Sequence, residues 1–288
     1  MKILILSLTM ICTLVNKLES QHLPDFMLRL PVYAILNDSS TGSGFYLQDN
    51  SNVYFVTARH VLVKTIVYNK ASKKDSIIFN SKNVKCISYS DNPIPNVQQI
   101  LHIDLIESLK NESFLTTRLN DLCAIKIGKL TKINEIRSEL TFEKSVTPEK
   151  TPQLECIPLS IIQNYNECKV GDDVFIFGYP NSIGIKQSPQ FDSERPLLRK
   201  GIIAGKYDKQ KTIILDCPSY YGNSGGPVIV KYIENDSTKY RTIGVVSELI
   251  PYVEDWYNLK NGLINTSVSN SGYSVIVPLD FLKDLLKK

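Results

Sequence analysis

The sequence predicts an all-β protein, either a barrel or a sandwich. From about Leu28 onward, short runs of β-branched and aromatic residues recur, each bounded by Gly, Asn, Ser or Pro. Helical periodicity is confined to residues 97–109 and 279–286. With 43% hydrophobic residues among 288, the chain can bury a sizeable core. The predicted strands cover residues 31–36, 44–47, 53–57, 122–127, 173–177, 201–204, 212–215, 227–230, 242–246 and 274–277.

The first twenty residues are predicted to be a secretory signal. Met1 and Lys2 form a positive end, residues 3–15 are mostly apolar, and the chain turns polar from Asn16. An apolar run of this length is too short to span a bilayer comfortably, but it suits the core of a signal peptide. We expect cleavage between Ser20 and Gln21. The alternatives are an N-terminal anchor and a buried first helix.

Two longer stretches lie between the predicted strands. Residues 129–158 are rich in Lys, Glu, Thr and Pro, and we expect them to connect two β halves. Residues 71–120 are too long for a single loop, so they are predicted to hold strands and the helix of residues 97–109. At the C-terminus, the apolar spacing of residues 279–286 predicts a final amphipathic helix.

Composition excludes several classes of protein. The formal charge is only +4 and its basic residues are scattered among acidic ones, so no nucleic-acid partner is expected. The only long apolar run is N-terminal, so no membrane span is expected after signal removal. No C-x-x-C pair occurs, and we expect no metal and no organic cofactor. Six cysteines are too few for a disulfide scaffold, and Cys123, in an apolar run, is expected to be a small buried residue.

The strongest local signal is the run of residues 222–228, Gly-Asn-Ser-Gly-Gly-Pro-Val. Glycines on both sides of Ser224 permit backbone torsions that are closed to other residues and let a substrate chain approach closely. A tight turn of this kind can also point backbone N–H groups inward, as an oxyanion hole requires. The alternative is a glycine-rich hairpin turn with an incidental serine.

A nucleophilic serine needs a base, and the chain has three histidines. His22 lies next to the expected cleavage point, where chain ends are usually poorly ordered. His102 falls in the predicted helix of residues 97–109 and is expected to be a packing or surface residue. His60 ends the apolar run of residues 53–60, at the point where a strand gives way to a loop. Elimination therefore favours His60.

The base needs an acid that holds its tautomer. Asp121 stands directly before the apolar run of residues 122–127, so it lies at the mouth of a buried strand. A carboxylate at that position is either the acid or a residue that caps the strand. Asp104 is the competitor, although a helix face near His102 is a poorer platform.

Three motifs in the order His, Asp, Ser resemble those of the trypsin-like serine proteases of the chymotrypsin fold. They are residues 57–60 (Thr-Ala-Arg-His), residues 121–122 (Asp-Leu) and residues 222–227. Residues 42–45 are similar to the start of a strand in the family's first barrel, residues 174–180 to the opening strand of the second barrel, and residues 244–247 to the strand beside the specificity pocket. The six segments extend over most of the chain after the signal.

The resemblance implies two six-stranded antiparallel β-barrels with the active site between them, and a C-terminal helix. Residues 21–150 would form the N-terminal barrel and residues 151–288 the C-terminal barrel with the helix, together one peptidase domain. His60 would be the general base, Asp121 its orienting acid and Ser224 the nucleophile. The backbone N–H groups of Gly222 and Ser224 would form the oxyanion hole. Ser247 would help to hold Asp121, and residues 247–249 would pair with the substrate backbone.

The chain also departs from the digestive members of the family. Asn223 stands where they have the Asp that receives a new N-terminus, and the sequence shows no evident activation peptide, so we expect no zymogen switch of that kind. Asn at this position is similar to the bacterial heat-shock and glutamyl branches. Pro218 lies at the expected floor of the specificity pocket, so we expect no preference for Lys or Arg side chains of the substrate. Glu248 and Leu249, at the expected pocket entrance, suggest small or apolar substrate side chains.

The sequence therefore predicts a secreted or periplasmic serine endopeptidase that acts on a peptide or protein and forms an acyl-enzyme. The alternative is a catalytically silent binding protein that keeps the protease fold, with the unusual Glu248 and Leu249 as its support. An esterase with the same triad is a weaker alternative, because the Ser-Asp-His order of the α/β-hydrolases is absent. The sequence leaves the oligomeric state open.

Overall fold

A computed structural model describes residues 23–37, 40–69, 74–90, 97–132, 138–150, 152–180, 190, 192–235, 237–258 and 260–287. The predicted signal and His22 lie outside these ranges. Within them, no helix is both long and apolar enough to cross a membrane. Strands dominate, which confirms the all-β class predicted from the sequence.

The first half of the chain folds into a curved ten-stranded sheet and a separate hairpin. The sheet order is β10-β9-β3-β2-β1-β6-β7-β11, β12 pairs with β2, β8 pairs with β9, and β4 pairs only with β5. These strands are β1 (Pro31–Ile35), β2 (Thr41–Asp49), β3 (Asn52–Thr57), β4 (Val63–Asn69), β5 (Lys74–Phe79), β6 (Asn83–Ser90), β7 (Val97–Asp104), β8 (Phe114–Thr116), β9 (Cys123–Lys132), β10 (Ser138–Phe142), β11 (Val146–Pro148) and β12 (Cys156–Pro158).

The second half is a closed six-stranded barrel with the order β13-β14-β15-β18-β17-β16. It matches the predicted six-stranded barrel, whereas the sheet of the first half has more strands than predicted. The barrel strands are β13 (Asp173–Gly178), β14 (Leu197–Tyr207), β15 (Thr212–Asp216), β16 (Pro227–Glu234), β17 (Ser237–Asn258) and β18 (Leu263–Pro278).

In the part of the chain that the structure describes, helices are few and short. They are α1 (Arg59–Leu62), α2 (Leu105–Lys110), α3 (Asp280–Leu286) and 3-10 turns at Asp25–Arg29, Leu159–Ile161 and Tyr165–Glu167. Helix α3 corresponds to the predicted C-terminal helix. The other predicted helix is largely wrong, because residues 97–104 form β7. Gln99, Leu101 and Ile103 are buried at alternate positions against β6, and that two-residue period outweighs the helical spacing.

The interpretation of residues 129–158 as a connector is also wrong. Strand β9 continues to Lys132, and β10, β11 and β12 all pair with strands of the first sheet. The polar composition of residues 129–158 suits a connector, but it has another cause. Strands β10, β11 and β12 lie at the margins of the sheet, where one face of a strand is exposed to water. They also account for the additional strands of the first half.

One apolar cluster joins the two halves. Phe45 and Val56 of the first sheet pack in it with Phe177 and Ile229 of the barrel, and Leu282 of α3 covers the same cluster. Large side chains that are fully buried stabilise a fold by about 1.5–3 kcal/mol each. The junction of the halves is therefore a hydrophobic core, and it fixes the strand ends that carry the polar residues described next.

Strands β17 and β18 extend well beyond the barrel. Residues 251–258 and 263–270 pair with each other as a two-stranded ribbon, which we call the arm. Its side chains are exposed from Pro251 to Asn258 and from Leu263 to Ser269. Register shifts at Ser247 and Ile250 mark bulges between the barrel and the arm, and bulges of this kind bend and twist a strand.

Candidate active site

His60 lies where β3 passes into the short helix α1. Asn80 fixes the end of this helix, since its side-chain amide donates to the carbonyls of His60 at 2.8 Å and Val61 at 2.9 Å. The neighbouring Arg59 donates from its guanidinium to the carbonyl of Thr117 at 2.7 Å. The helix is thereby tied to the loop that leads to Asp121.

Asp121 contacts His60 twice. Its Oδ1 accepts from the His60 backbone N–H at 2.9 Å, and its Oδ2 lies 2.7 Å from Nδ1 of the ring. The hydroxyl of Ser247 donates to the same Oδ2 at 2.6 Å. An ionised carboxylate only accepts, so Nδ1 carries the proton and Nε2 is left with a free lone pair. The geometry thus selects the tautomer that a general base requires.

The pKa of the Asp121 carboxyl reflects competing causes. Burial acts to raise this pKa, but the hydrogen bonds and charge attraction from His60, with the hydrogen bond from Ser247, outweigh burial. The pKa of Asp121 therefore lies below its ordinary value. The carboxylate stays ionised and holds the ring in place.

Ser224 is carried by a tight loop between β15 and β16. Gly222 has a φ of +95° and Gly225 a φ of +87°, the region that favours glycine. Asn223 is buried and braces the loop: its N–H donates to the Tyr220 carbonyl at 2.9 Å, and its Oδ1 accepts from the Tyr220 N–H at 3.1 Å. Asn223 thus has a structural role in this loop.

The loop of Ser224 lies against the residues that flank His60. A Cβ built on Gly225 would overlap the carbonyl of Ser43 and the hydroxyl of Thr57. A Cβ built on Gly42 would lie 2.6 Å from the Val61 side chain and 3.3 Å from the Ser224 carbonyl oxygen. These close approaches explain why positions 42 and 225 are occupied by glycine. They also show that the loop of Ser224 lies next to the segments that flank His60.

Ser224 and His60 are connected through Ser247. The Ser224 hydroxyl donates to the Ser247 carbonyl at 3.2 Å, and the Ser247 hydroxyl donates to Asp121, as described above. In the described part of the chain, no hydrogen bond joins the His60 ring to the Ser224 hydroxyl. The three candidate residues therefore share one site, with the serine turned toward β17.

Two backbone N–H groups of the loop are available. Those of Gly222 and Ser224 donate to no described residue, whereas the N–H of Asn223 between them is used by Tyr220. An oxyanion hole needs N–H groups that are free to donate, and Gly222 and Ser224 each offer one.

Ser43 belongs to the site although no catalytic motif includes it. Its N–H donates to the Ser224 carbonyl at 2.8 Å and its hydroxyl to the Gly222 carbonyl at 2.6 Å. The same hydroxyl accepts from the Tyr179 N–H at 3.0 Å, and the Ser43 carbonyl accepts from the Thr57 hydroxyl at 2.7 Å. The only sequence signal was its position between two glycines, in a segment similar to the start of a strand in the family's first barrel.

The predicted substrate residues lie close to this loop. Ser247 is buried, Pro218 and Leu249 are half-buried, and Glu248 is exposed. Ser247 and Glu248 border a cavity of about 940 Å³ together with Asp121 and residues 119–120 of the first half and residues 207–212 of the second. The cavity thus opens between the halves on the Asp121 side.

The competing residues lie elsewhere. Asp104 caps helix α2 by accepting from the Glu107 N–H at 2.9 Å, and Nε2 of His102 lies 2.9 Å from Glu149. Among the residues that the structure describes, no group of three or more His, Cys, Asp or Glu could hold a metal ion. The five cysteines there, Cys86, Cys123, Cys156, Cys168 and Cys217, are unpaired, and Cys123 is buried as predicted.

Comparison with known proteins identifies the family. Residues 42–232, more than half of the chain, match the trypsin-like peptidase domain family. The chain therefore belongs to the trypsin-like peptidases, which confirms the resemblance drawn from the motifs. By class it is a serine endopeptidase, a hydrolase of peptide bonds. No curated protein matches the chain.

Several solved structures are similar in fold. The serine endoprotease from Yersinia pestis is 14% identical, with a TM-score of 0.46, and the match covers 93% of this chain and 67% of that one. A structure of the HtrA-type protease AlgW with a tripeptide is 14% identical, with a TM-score of 0.44, covering 90% of this chain and 58% of that one. Deg5 is 15% identical, with a TM-score of 0.47, covering 90% and 88%.

Proposed function

We propose that this serine endopeptidase cleaves peptide bonds through a His60–Asp121–Ser224 triad and an acyl-enzyme intermediate. The observation that carries the proposal is the set of contacts around Asp121 Oδ2. It accepts from His60 Nδ1 and from Ser247, whose own carbonyl accepts from the nucleophile. This arrangement supports an imidazole held in one tautomer beside a serine hydroxyl.

Catalysis would begin with a rotation of the Ser224 side chain away from the Ser247 carbonyl. Nε2 of His60 takes the hydroxyl proton as Oγ attacks the scissile carbonyl carbon. The negative charge on the carbonyl oxygen is stabilised by the N–H groups of Gly222 and Ser224. His60 then gives the proton to the departing amine as the C–N bond breaks. Water repeats the sequence on the acyl-enzyme and releases the acid.

Substrate binding would use the edge of β17. Beyond Val246, only β18 pairs with this strand among the described residues, so residues 247–249 can pair with a substrate backbone. The half-buried Pro218 and Leu249 support a pocket for small or apolar side chains. Cleavage of a peptide library by the purified protein tests this preference, and a dominance of Lys or Arg before the cleaved bond would contradict it.

We further propose that residues 1–20 are a cleaved signal and that the enzyme is secreted or periplasmic. The apolar segment of residues 3–15 supports this. Residues 21–150 and 151–288 would then form the mature peptidase domain. N-terminal sequencing of the protein recovered from its native host would return Gln21 as the first residue if the signal is removed there.

An active-site label tests the mechanism most directly. A fluorophosphonate should label the wild-type protein at one serine, and Ser224→Ala should abolish the label. Ser160→Ala, at an exposed serine outside the glycine-rich loop, is the matched control and should label fully. Labelling that survives Ser224→Ala would assign the nucleophile elsewhere. A wild-type protein that is folded but takes no label would favour the silent binding protein.

A further inference from the structure

The arm exposes an unusual amount of apolar surface. On one of its faces stand Val253 and Val268, which are directly opposite each other, and Tyr257 and Ile264, which are opposite each other four residues further along. All four side chains are between 55% and 66% exposed. The other face carries the exposed rings of Tyr252 and Trp256. A two-stranded ribbon with both faces in water is marginally stable by itself, so this surface indicates a binding role.

The arm is a direct continuation of the candidate active site. Ser247, which accepts from Ser224 and donates to Asp121, belongs to the same strand, β17, as the arm. Pro251 follows only four residues later, which is about 13 Å of extended chain. At the base of the arm, the side chain of Asn270 donates to the carbonyl of Ser219 at 2.6 Å. Ser219 belongs to the segment that leads into the loop of Ser224.

The edge of β17 is also open. Strand β16 pairs with β17 only as far as Val245, and Val246 still contacts residues 225–226. From residue 247 to residue 258, no described strand other than β18 pairs with β17. A strand edge without a neighbouring strand, beside apolar side chains, is the kind of surface to which an extended peptide adds as a further strand.

We propose that the arm is an exosite for the substrate chain, which binds in extended form along β17 upstream of the scissile bond. This inference rests on the proposed function. We assign the upstream segment because it is the acyl half of the substrate. This half stays attached to Ser224 after the amine leaves, so it can keep its contacts with the arm through both steps of the reaction. Residues of the substrate from about the fourth to about the twelfth before the cleaved bond would lie along the arm.

The arm also indicates which substrate side chains it prefers. The side chains of an added strand alternate between the two faces, so they would lie next to Val253 and Tyr257 on one face and Tyr252 and Trp256 on the other. Glu248 and the arm residues Glu254 and Asp255 are acidic, whereas Lys260 is the one cation among the described residues from 247 to 270. The exosite therefore selects apolar segments and disfavours acidic ones.

The chain offers a direct probe of this binding. Trp256 is the only tryptophan of the protein, so its emission reports on the arm alone. In the Ser224→Ala variant, which holds substrate without cleaving it, an unfolded β-casein peptide that contains no tryptophan should shift the emission of Trp256. Emission that this peptide does not change would overturn the proposal. A shift that depends on protein concentration alone, with a doubled mass in sedimentation, would also overturn it and identify the arm as a contact between two copies.

Kinetics on one cleaved site give the second part of the test. A casein peptide that the wild type cleaves is shortened residue by residue from its amino end. We expect kcat/KM to fall about tenfold as residues twelve to four before the bond are removed. A double variant, Val253→Ser with Tyr257→Ser, should lose this dependence on length. The matched control, Ile233→Ser with Val170→Ser, removes similarly exposed apolar side chains of the second half that lie outside the arm, and it should keep the dependence on length.

The two proposals fail in different ways. If the wild type takes no fluorophosphonate label, the proposed function fails, while the emission of Trp256 can still report casein binding. If labelling and peptide cleavage are normal but kcat/KM is independent of upstream length, only the exosite is wrong. A dependence on residues downstream of the bond would likewise reject the acyl-side assignment.

Discussion

The Ser43 hydroxyl donates to the carbonyl of Gly222 at 2.6 Å, across a sequence separation of 179 residues. This contact ties a strand of the first half to the loop that carries the candidate nucleophile. The same hydroxyl accepts from the Tyr179 N–H. One buried side chain therefore holds two segments of the second half in position against the first half.

Ser43→Ala should therefore weaken both the fold and the activity. It leaves a buried carbonyl and a buried N–H without partners, which costs about 1–3 kcal/mol in unfolding free energy. Urea denaturation followed by circular dichroism measures this loss, and casein hydrolysis measures the activity. Ser81→Ala, which removes a partly buried serine that donates to the Leu36 carbonyl, is the control and should cost less. Equal costs would show that Ser43 has no special role.

Asp121→Asn should lower kcat/KM by a factor on the order of 10³–10⁴, since an amide no longer enforces the tautomer with Nδ1 protonated. Steady-state cleavage of a peptide found in the library experiment gives the value. The matched control is Asp104→Asn, which removes the other candidate carboxylate and should change kcat/KM less than twofold. The reverse pattern would move the acid to Asp104.

The lowered pKa of Asp121 has a consequence for stability in acid. The folded state binds this proton less tightly than the unfolded chain, whose carboxyl has the ordinary value of 3.8. The contribution of Asp121 is thus complete above that pH and is lost as the pH falls through the lower, folded value. We expect Asp121→Asn to lose less stability than the wild type between pH 7 and pH 3, measured by urea denaturation. An equal loss in both proteins would contradict the assigned pKa direction.

Gly225→Ala should be severely destabilising, by more than about 3 kcal/mol, because the new methyl group would overlap the Ser43 carbonyl and the Thr57 hydroxyl. Gly171 has a similar φ of +95°, but a Cβ there meets nothing within 4 Å. Gly171→Ala should thus show backbone strain alone, about 1 kcal/mol. Both are compared by urea denaturation in the Ser224→Ala background, which prevents self-cleavage. Similar losses would show that the loop does not approach the first half so closely.

The cysteines are expected to react slowly in the native protein. Burial raises the pKa of Cys168 and Cys217 to about 11 and that of Cys156 to about 12. At pH 8 the thiolate fraction of Cys168 and Cys217 is then lowered about 100-fold relative to an ordinary thiol, and alkylation slows in proportion. Iodoacetamide labelling with peptide mass spectrometry, before and after denaturation, reads each cysteine separately. A cysteine that reacts at the same rate before and after denaturation would contradict this prediction, because it would be accessible and ionisable in the native protein.

The motifs selected residues that the structure places close together, whereas periodicity misassigned some of the elements around them. His60, Asp121 and Ser224 were selected because a base, an acid and a nucleophile each need a particular residue type in a particular local setting. Ser43 and Asn80 were missed because a serine or an asparagine that donates to a carbonyl leaves no pattern in its own sequence. Their side chains donate to partners 19 to 179 positions away, which only the folded chain brings together.

Residues 97–104 and 129–158 show the limit of local reasoning about elements. Residues 97–104 have apolar side chains at spacings that suit either a helix or a strand, and pairing with β6 decides for the strand. Residues 129–158 have the composition of a linker, because marginal strands carry many polar residues. In both cases the deciding partner is a neighbouring strand, which a window of sequence does not contain.

The apolar cluster shared by the two halves means that neither half is a complete folding unit. Phe45 and Val56 would be left in water if the chain were cut before β13, and so would Phe177 and Ile229 on the other fragment. Two such fragments, made together, would gain stability by reassembling, whereas each made alone would aggregate. Dividing the gene between β12 and β13 would therefore yield a split enzyme. Recovery of its activity would report that the two fragments had bound each other.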